Sequence, residues 1–260
     1  MRALRRGGLS LLATASAHSA NLSAGRQLRP TAWPARWRAS AAAAAASPVQ
    51  QVLDLALSGD LSRTEQAMDA LTADNLAIYP DGLEPGGPVA YHHVYSDASL
   101  SIGVFVLPAG SAIPLHDHPD MTVLSKLLFG RLRVTSFDRP TATRGRPASS
   151  RQLRLFGTSR SEATLRCSAP VERVVAAPCA PLRLEPLRGN VHAFEAIEHT
   201  AIFDVLTPPY NDAAGRSCHY YEAQEETAAS GGWELHEVGW PPSLRVVNKP
   251  YRGPVPVPGG

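Results

Sequence analysis

The sequence predicts an all-β barrel preceded by two short helices, on three observations. Residues 101–107 (Ser101-Ile-Gly-Val-Phe-Val-Leu107) form a β-rich run closed by the turn Pro108-Ala-Gly110, and residues 201–206 form a second apolar run. Twice a histidine leaves a Pro/Gly turn and enters an apolar run, once at His116 and once at His192. That is how a barrel strand starts with an inward-facing imidazole. At 260 residues and 44% hydrophobic content, the chain holds one substantial β domain plus a tail.

Residues 1–47 carry arginines at 2, 5, 6, 26, 29, 36 and 38, are rich in Ala and Ser, and precede the first acidic residue, Asp54. They read as an organelle transit peptide. Arg2, Arg5 and Arg6 beside Leu4, Leu9, Leu11 and Leu12 make a basic amphipathic pattern that leans mitochondrial, while Ala/Ser richness keeps a chloroplast open. The plain alternative is a disordered extension, with the protein in the cytoplasm or nucleus.

The domain proper is expected over residues 48–258. Val52, Leu55 and Ala56, then Ala67 and Leu71, have helical spacing interrupted by Gly59-Asp60. Ser62-Arg-Thr-Glu65 is a capping-box pattern for the second helix. Both helices are expected to cover one end of the barrel. Strands begin at Val89. His92 and His93 are adjacent, so they fall on opposite faces of one strand and cannot both line an interior; both are read as structural. Residues 138–180, rich in Arg, Ser, Pro and Ala, are expected as a surface loop or inserted hairpin on the rim. Leu244 to Val247 is expected as the last strand.

His116 and His118, separated by one residue, project to the same side of an extended segment and offer two metal ligands, with Asp117 facing away. They are expected to begin a strand after the turn. A His-x-His pair alone fits structural histidines equally well; His192 supplies a third ligand. Asp204 interrupts an apolar strand, and a buried carboxylate needs a partner. Arg216, through a core ion pair, is one such partner. Cys218 and Tyr220 share a face two residues apart, with His219 on the other. Lys126 and Arg216 are read as solvated.

Gly110, His116-x-His118 and Gly130 resemble the first cupin motif, and Gly189-x-x-His192 resembles the second. Thr122 and Val123 stand where the first motif's glutamate ligand falls, and neither suits iron or zinc. That absence points to the three-histidine thiol dioxygenases. The blocks Ile113-Pro-Leu-His116-Asp-His118 through Gly130, Ala201 through Tyr210, and Gly215-Arg-Ser-Cys218-His-Tyr220-Tyr221 are similar to the plant cysteine oxidases over about residues 50–255; cysteamine dioxygenase, the animal relative, is also similar but more distant around Thr122 to Gly130. Asp120 departs from the glycine usual after His-Pro, and the leader is a second departure.

The resemblance implies a cupin fold, that is, a double-stranded β-helix or jelly-roll-like barrel. It implies Fe(II) held by His116, His118 and His192, and a substrate pocket containing Asp204, which receives the substrate amine, and Tyr210. It also implies a possible thioether crosslink between Cys218 and Tyr220, against the plainer alternative of a buried cysteine beside a core tyrosine. The implied reaction uses O2 to convert a cysteine thiol to a sulfinic acid. The first-choice substrate is an N-terminal cysteine of a peptide or protein, then free cysteine or cysteamine, and oxygen sensing is the associated role. Three neutral imidazoles leave the full double charge on Fe(II), which favours an anionic thiolate at an open position. A site of two histidines and one carboxylate, with Glu195 as the third ligand, is an alternative. Zinc on three histidines is another, and a metal-binding cupin without catalysis is a third.

Net charge of +2 excludes a strong nucleic-acid field, and most of that basicity belongs to residues 1–47. Cys167, Cys179 and Cys218 make neither a disulfide framework nor a CxxC zinc spacing, which fits a reducing compartment. No apolar run approaches a membrane span. A monomer is expected.

Overall fold

The computed structural model describes residues 47–139, 164–226 and 232–259. The leader, Ser47 apart, and residues 140–163 of the rim segment lie outside the described residues. Helix α1 (Pro48–Leu57) starts where Ser47 Oγ accepts the Gln50 amide and Pro48 takes the first helical position. Helix α2 (Leu61–Ala67) is capped by Asp60, which accepts the Arg63 amide, and not by the expected Ser62. The helix begins immediately after the turn at Gly59, so Ser62 already lies inside its first turn. Both helices therefore form as expected, but the cap sits two residues earlier.

Among the described residues the chain then forms thirteen strands: β1 Val89–Ser96, β2 Ser101–Leu107, β3 Ala112–His116, β4 Thr122–Phe129, β5 Arg131–Phe137, β6 Thr164–Cys167, β7 Val171–Ala176, β8 Leu182–Leu184, β9 Val191–Ala196, β10 Thr200–Thr207, β11 Tyr220–Glu225, β12 Trp233–Val238 and β13 Val246–Lys249. They pair into two sheets, ordered β13-β1-β2-β10-β4-β8 and β6-β12-β11-β3-β9-β5-β7. The chain passes from sheet to sheet at β2–β3, β3–β4, β4–β5, β7–β8, β8–β9, β9–β10, β10–β11 and β12–β13. This winding is the double-stranded β-helix of a cupin. Gly130 makes the β4–β5 crossing at φ +88°, where a Cβ would collide with His199 O.

β2 and β10 are apolar on both faces because both faces are buried. Inward, Ile202 of β10 and Leu127 of neighbouring β4 meet Ile113, Leu132 and Phe194 of the facing sheet. Outward, Val104, Val106, Phe203 and Val205 pack under Val52, Leu53 and Met68. The helices thus cover a sheet face, not the barrel end expected from sequence, since the second apolar face of β2 and β10 requires a lid. Phe203 is fully buried in that layer, and truncating it to alanine costs about 3–5 kcal/mol.

The rim segment also needs correction. It is not a loop throughout: β6 pairs with β12 and β7 with β5, at opposite edges of the larger sheet, so they do not form a hairpin with each other. Residues 168–170 join them, a span of at most about 14 Å, and the sheet must curl to bring its edges that close. The last strand starts at Val246, two residues later than expected, because Leu244 closes a turn on Pro241 O. No helix of the described residues is long and apolar enough to cross a membrane.

Candidate metal centre

His116 ends β3 and does not begin a strand; His118 lies in the turn that follows, closed by Met121 N donating to His118 O at 3.1 Å. Asp120 occupies that turn at φ +56°, a left-handed conformation. Across the larger sheet, His116 stands opposite Tyr220 on β11 and His192 on β9, so one row of side chains enters the barrel from three adjacent strands. The three histidines are buried, and their ligand atoms all lie within 4.8 Å of one another. Ring centroids are 4.5 Å apart for His116–His192 and 5.0 Å for each of the other two pairs.

Their neighbours fix which nitrogens are free. His116 Nδ1 lies 2.9 Å from Pro114 O, so this nitrogen carries the proton and Nε2 holds the lone pair. Tyr210 Oη lies 2.7 Å from Asp117 O and 2.7 Å from His118 Nδ1. A carbonyl only accepts, so the single phenolic proton goes to Asp117 O and the phenol oxygen accepts from His118 Nδ1–H. His118 Nε2 is then a lone pair, and it has no hydrogen-bond partner; His192 Nδ1 has none either. Burial pushes all three imidazoles below their ordinary range; His118 and His192 lie far below it, where neighbouring imidazoles add to the effect, while at His116 the Pro114 carbonyl and the Asp117 charge oppose it. Buried orphan ring nitrogens on neutral bases are a donor set for a divalent transition metal, so the residues fit such an ion.

The carboxylate alternative fails. Glu195 points out of the barrel, its side chain 52% exposed and 2.6 Å from Arg133. Asp117 is fully buried but turned from the trio: it accepts from His219 N (2.9 Å) and Tyr221 Oη (3.0 Å), and Arg139 stands at 3.4 Å.

A cavity of about 390 Å³ separates the trio, with His116 and His192 on one sheet and His118 in the turn after β3, from Asp204 on the other sheet. Asp204 pairs across strands with Gly103 and Ser125, and its Oδ1 has no hydrogen-bond partner; neither has Ser125 Oγ. Burial pushes the Asp204 carboxyl up to about 7, with adjacent Ser125 opposing the shift. The ion pair with Arg216 does not form, because Arg216 Nε donates to Pro209 O. The Tyr91 ring packs against Gly103, where any Cβ would collide with it. Burial, and then the Asp204 charge, raise its phenol to about 12.

Tyr210 and Tyr220 line the cavity wall. The Cys218 thiol lies beside both phenols and is pushed up to about 12 by burial. His93 shares its strand face with Tyr91 and lines the mouth, contrary to its structural reading, while His92 turns to Pro250 O. Lys126 is buried, not solvated: it faces the helical layer, with Nζ 2.8 Å from Asp69 and 2.6 Å from Cys179 O.

Tyr91, Ser125 and Asn190 escaped the sequence reading. Gly103, a lone glycine inside an apolar strand, was the available sign of close approach by another group.

Fold and site together define a cupin with a three-imidazole metal centre facing a buried carboxyl. The chain belongs to the PCO_ADO family, whose model matches residues 60–255. It is 34% identical to 2-aminoethanethiol dioxygenase of Homo sapiens over 204 residues, 70% of this chain and 73% of that one. Against plant cysteine oxidase 2 of Arabidopsis thaliana it is 35% identical over 180 residues, 64% of this chain and 60% of that one. A cupin superfamily protein from Desulfitobacterium hafniense is similar at 10% identity and a TM-score of 0.32, covering 50% of this chain and 89% of that chain.

Proposed function

We propose that this chain is a thiol dioxygenase that uses O2 to convert a cysteine thiol at the N-terminus of a peptide or protein into a sulfinic acid. Both oxygen atoms enter the product and the thiol hydrogen remains on it, so no external reductant is consumed. His116, His118 and His192 hold Fe(II), which supplies a Lewis acid for the thiolate and an electron donor towards O2. Asp204, across the cavity, takes the substrate ammonium as the partner it lacks. An ammonium donating to the Asp204 carboxylate makes a charge-assisted hydrogen bond. Tyr210 holds His118 in the tautomer that leaves Nε2 free. Buried Leu206 and Phe194 on the lining keep that end apolar.

The mouth carries the preference for a peptide: His93, Ser96 and Asp97 line the cavity and are exposed. A chain can leave there for solvent while its terminal amine stays at Asp204. Cys218 beside Tyr220 supports the crosslink reading, and a loss of two hydrogens from the peptide carrying both would establish it. Residues 1–47 are proposed as an organelle leader; fused to a fluorescent reporter they should direct it to an organelle, and a diffuse signal would reject import.

The test is to compare a Cys-initiated peptide, free cysteine and cysteamine with the same Fe(II)-loaded protein, following O2 uptake and the product mass. The peptide should give the highest kcat/KM and gain two oxygen atoms. Faster turnover of a small thiol would overturn the substrate assignment, and no uptake with any thiol would leave a non-catalytic metal-binding cupin.

A further inference from the structure

We propose that Asn190 is a positioning residue that sets the spacing of the second and third histidines. It is fully buried, 72 positions along the chain from His118 and two before His192. Its side chain closes a ring on the backbone of His118: Oδ1 accepts from His118 N at 3.1 Å, and Nδ2 donates to His118 O at 2.8 Å. The second Nδ2 hydrogen goes to Glu185 O at 3.2 Å. Both donors and the acceptor are thus used, and all three partners are main chain.

This matters because His118 is the trio member outside a strand. β3 stops at His116, so no ladder bonds carry the register on to residue 118. His192, by contrast, is locked in β9 between β3 and β5. Asn190 bonds to His118 as an adjacent strand would, and ties it to the segment that delivers His192. The segment is itself anchored, since Gly189 N donates to Asp138 Oδ1 at 2.6 Å and Arg139 N donates to Leu187 O at 2.9 Å. Tyr210 fixes the ring of His118 and Asn190 fixes its backbone, so the two constraints are separate. An amide is required: a carboxylate lacks the two donors, and a hydroxyl cannot span both the N–H and C=O of one residue.

The inference rests on the metal reading of the trio. It is tested by anaerobic titration of the metal-free full chain with Co(II), following the visible absorption of the bound ion, alongside thermal unfolding without metal. Asn190→Ala and the milder Asn190→Ser should weaken Co(II) binding by about 10–100-fold and alter its spectrum, as loss of a ligand-orienting partner does. Leu132→Ala, a core variant remote from the clasp, should lower the unfolding temperature comparably and leave the affinity within about twofold. Asn190→Ser that binds Co(II) as the parent chain does, or Leu132→Ala that loses affinity equally, overturns the proposal. A parent chain that binds no Co(II) overturns the metal reading and the inference with it.

Discussion

The Tyr210 hydroxyl stands 2.7 Å from His118 Nδ1 while donating its proton to Asp117 O, so a residue of the cavity wall dictates the tautomer of a metal-type ligand. Tyr210→Phe removes the acceptor for His118 Nδ1–H and frees the ring to rotate. Metal affinity should fall by about 10–100-fold, the usual loss for such a partner, with the fold intact. Equilibrium titration with Fe(II) under anaerobic conditions measures this, and an unchanged affinity would remove Tyr210 from the metal site.

Asp204→Asn separates substrate binding from metal binding. The carboxyl lies on the sheet opposite the strands that carry His116 and His192, so iron content should be retained. The KM for an amine-bearing thiol should rise about 10–100-fold, since a hydrogen bond to a charged group contributes about 1.5–3 kcal/mol. Unchanged steady-state kinetics would refute the amine contact.

The same substitution predicts a pH dependence of stability in the metal-free protein. Asp204 has a folded-state pKa of about 7 against an ordinary 3.8. Above 3.8 the unfolded chain releases this proton and the folded chain keeps it, so stability contributed by the protonated form is lost as pH rises towards 7. Relief of that penalty by Asp204→Asn should therefore be larger at pH 8 than at pH 5, by roughly 3 kcal/mol at 1.36 kcal/mol per unit. The lowered histidines act oppositely. Below about 6.5 the unfolded chain takes up protons that buried His118 and His192 refuse, and stability falls with acid. Urea midpoints of parent and variant at both pH values check the sign; a larger gain at pH 5 would contradict it.

Asp120 holds a left-handed backbone conformation, φ +56°, in the turn between His118 and Met121. That conformation costs an L-residue about 1–2 kcal/mol, less for Asp than for most. Asp120→Gly should raise stability by up to about 1 kcal/mol with kcat unchanged, measured by thermal unfolding and steady-state turnover. A fall in kcat without a stability change would give the Asp120 carboxylate a role in the reaction.

The trio and Asp204 were legible because their signals are local. Two histidines follow Pro/Gly turns, one acidic residue breaks an apolar strand, and neither pattern depends on distant contacts. The helices were legible from their spacing, but their docking on the outer face of β2 and β10 was not, because that is a tertiary choice made by Val104, Val106, Phe203 and Val205. β6 and β7 were missed since edge strands bury little: Val171 and Val174 are exposed, and no alternation marks them. Asn190 after Gly189 reads as an ordinary turn residue, and only the fold shows its side chain reaching His118. Lys126 carries a charge into a buried position because Asp69, 57 residues away, meets it there.

The central claim is that His116, His118 and His192 hold an iron ion that makes this chain a thiol dioxygenase. Metal analysis of anaerobically purified protein, paired with O2 uptake on a Cys-initiated peptide, tests it most directly. Iron bound near one per chain, with uptake proportional to iron and both lost in His192→Ala, is the predicted result. Full occupancy by zinc or nickel, with no oxidation dependent on added Fe(II), would contradict it.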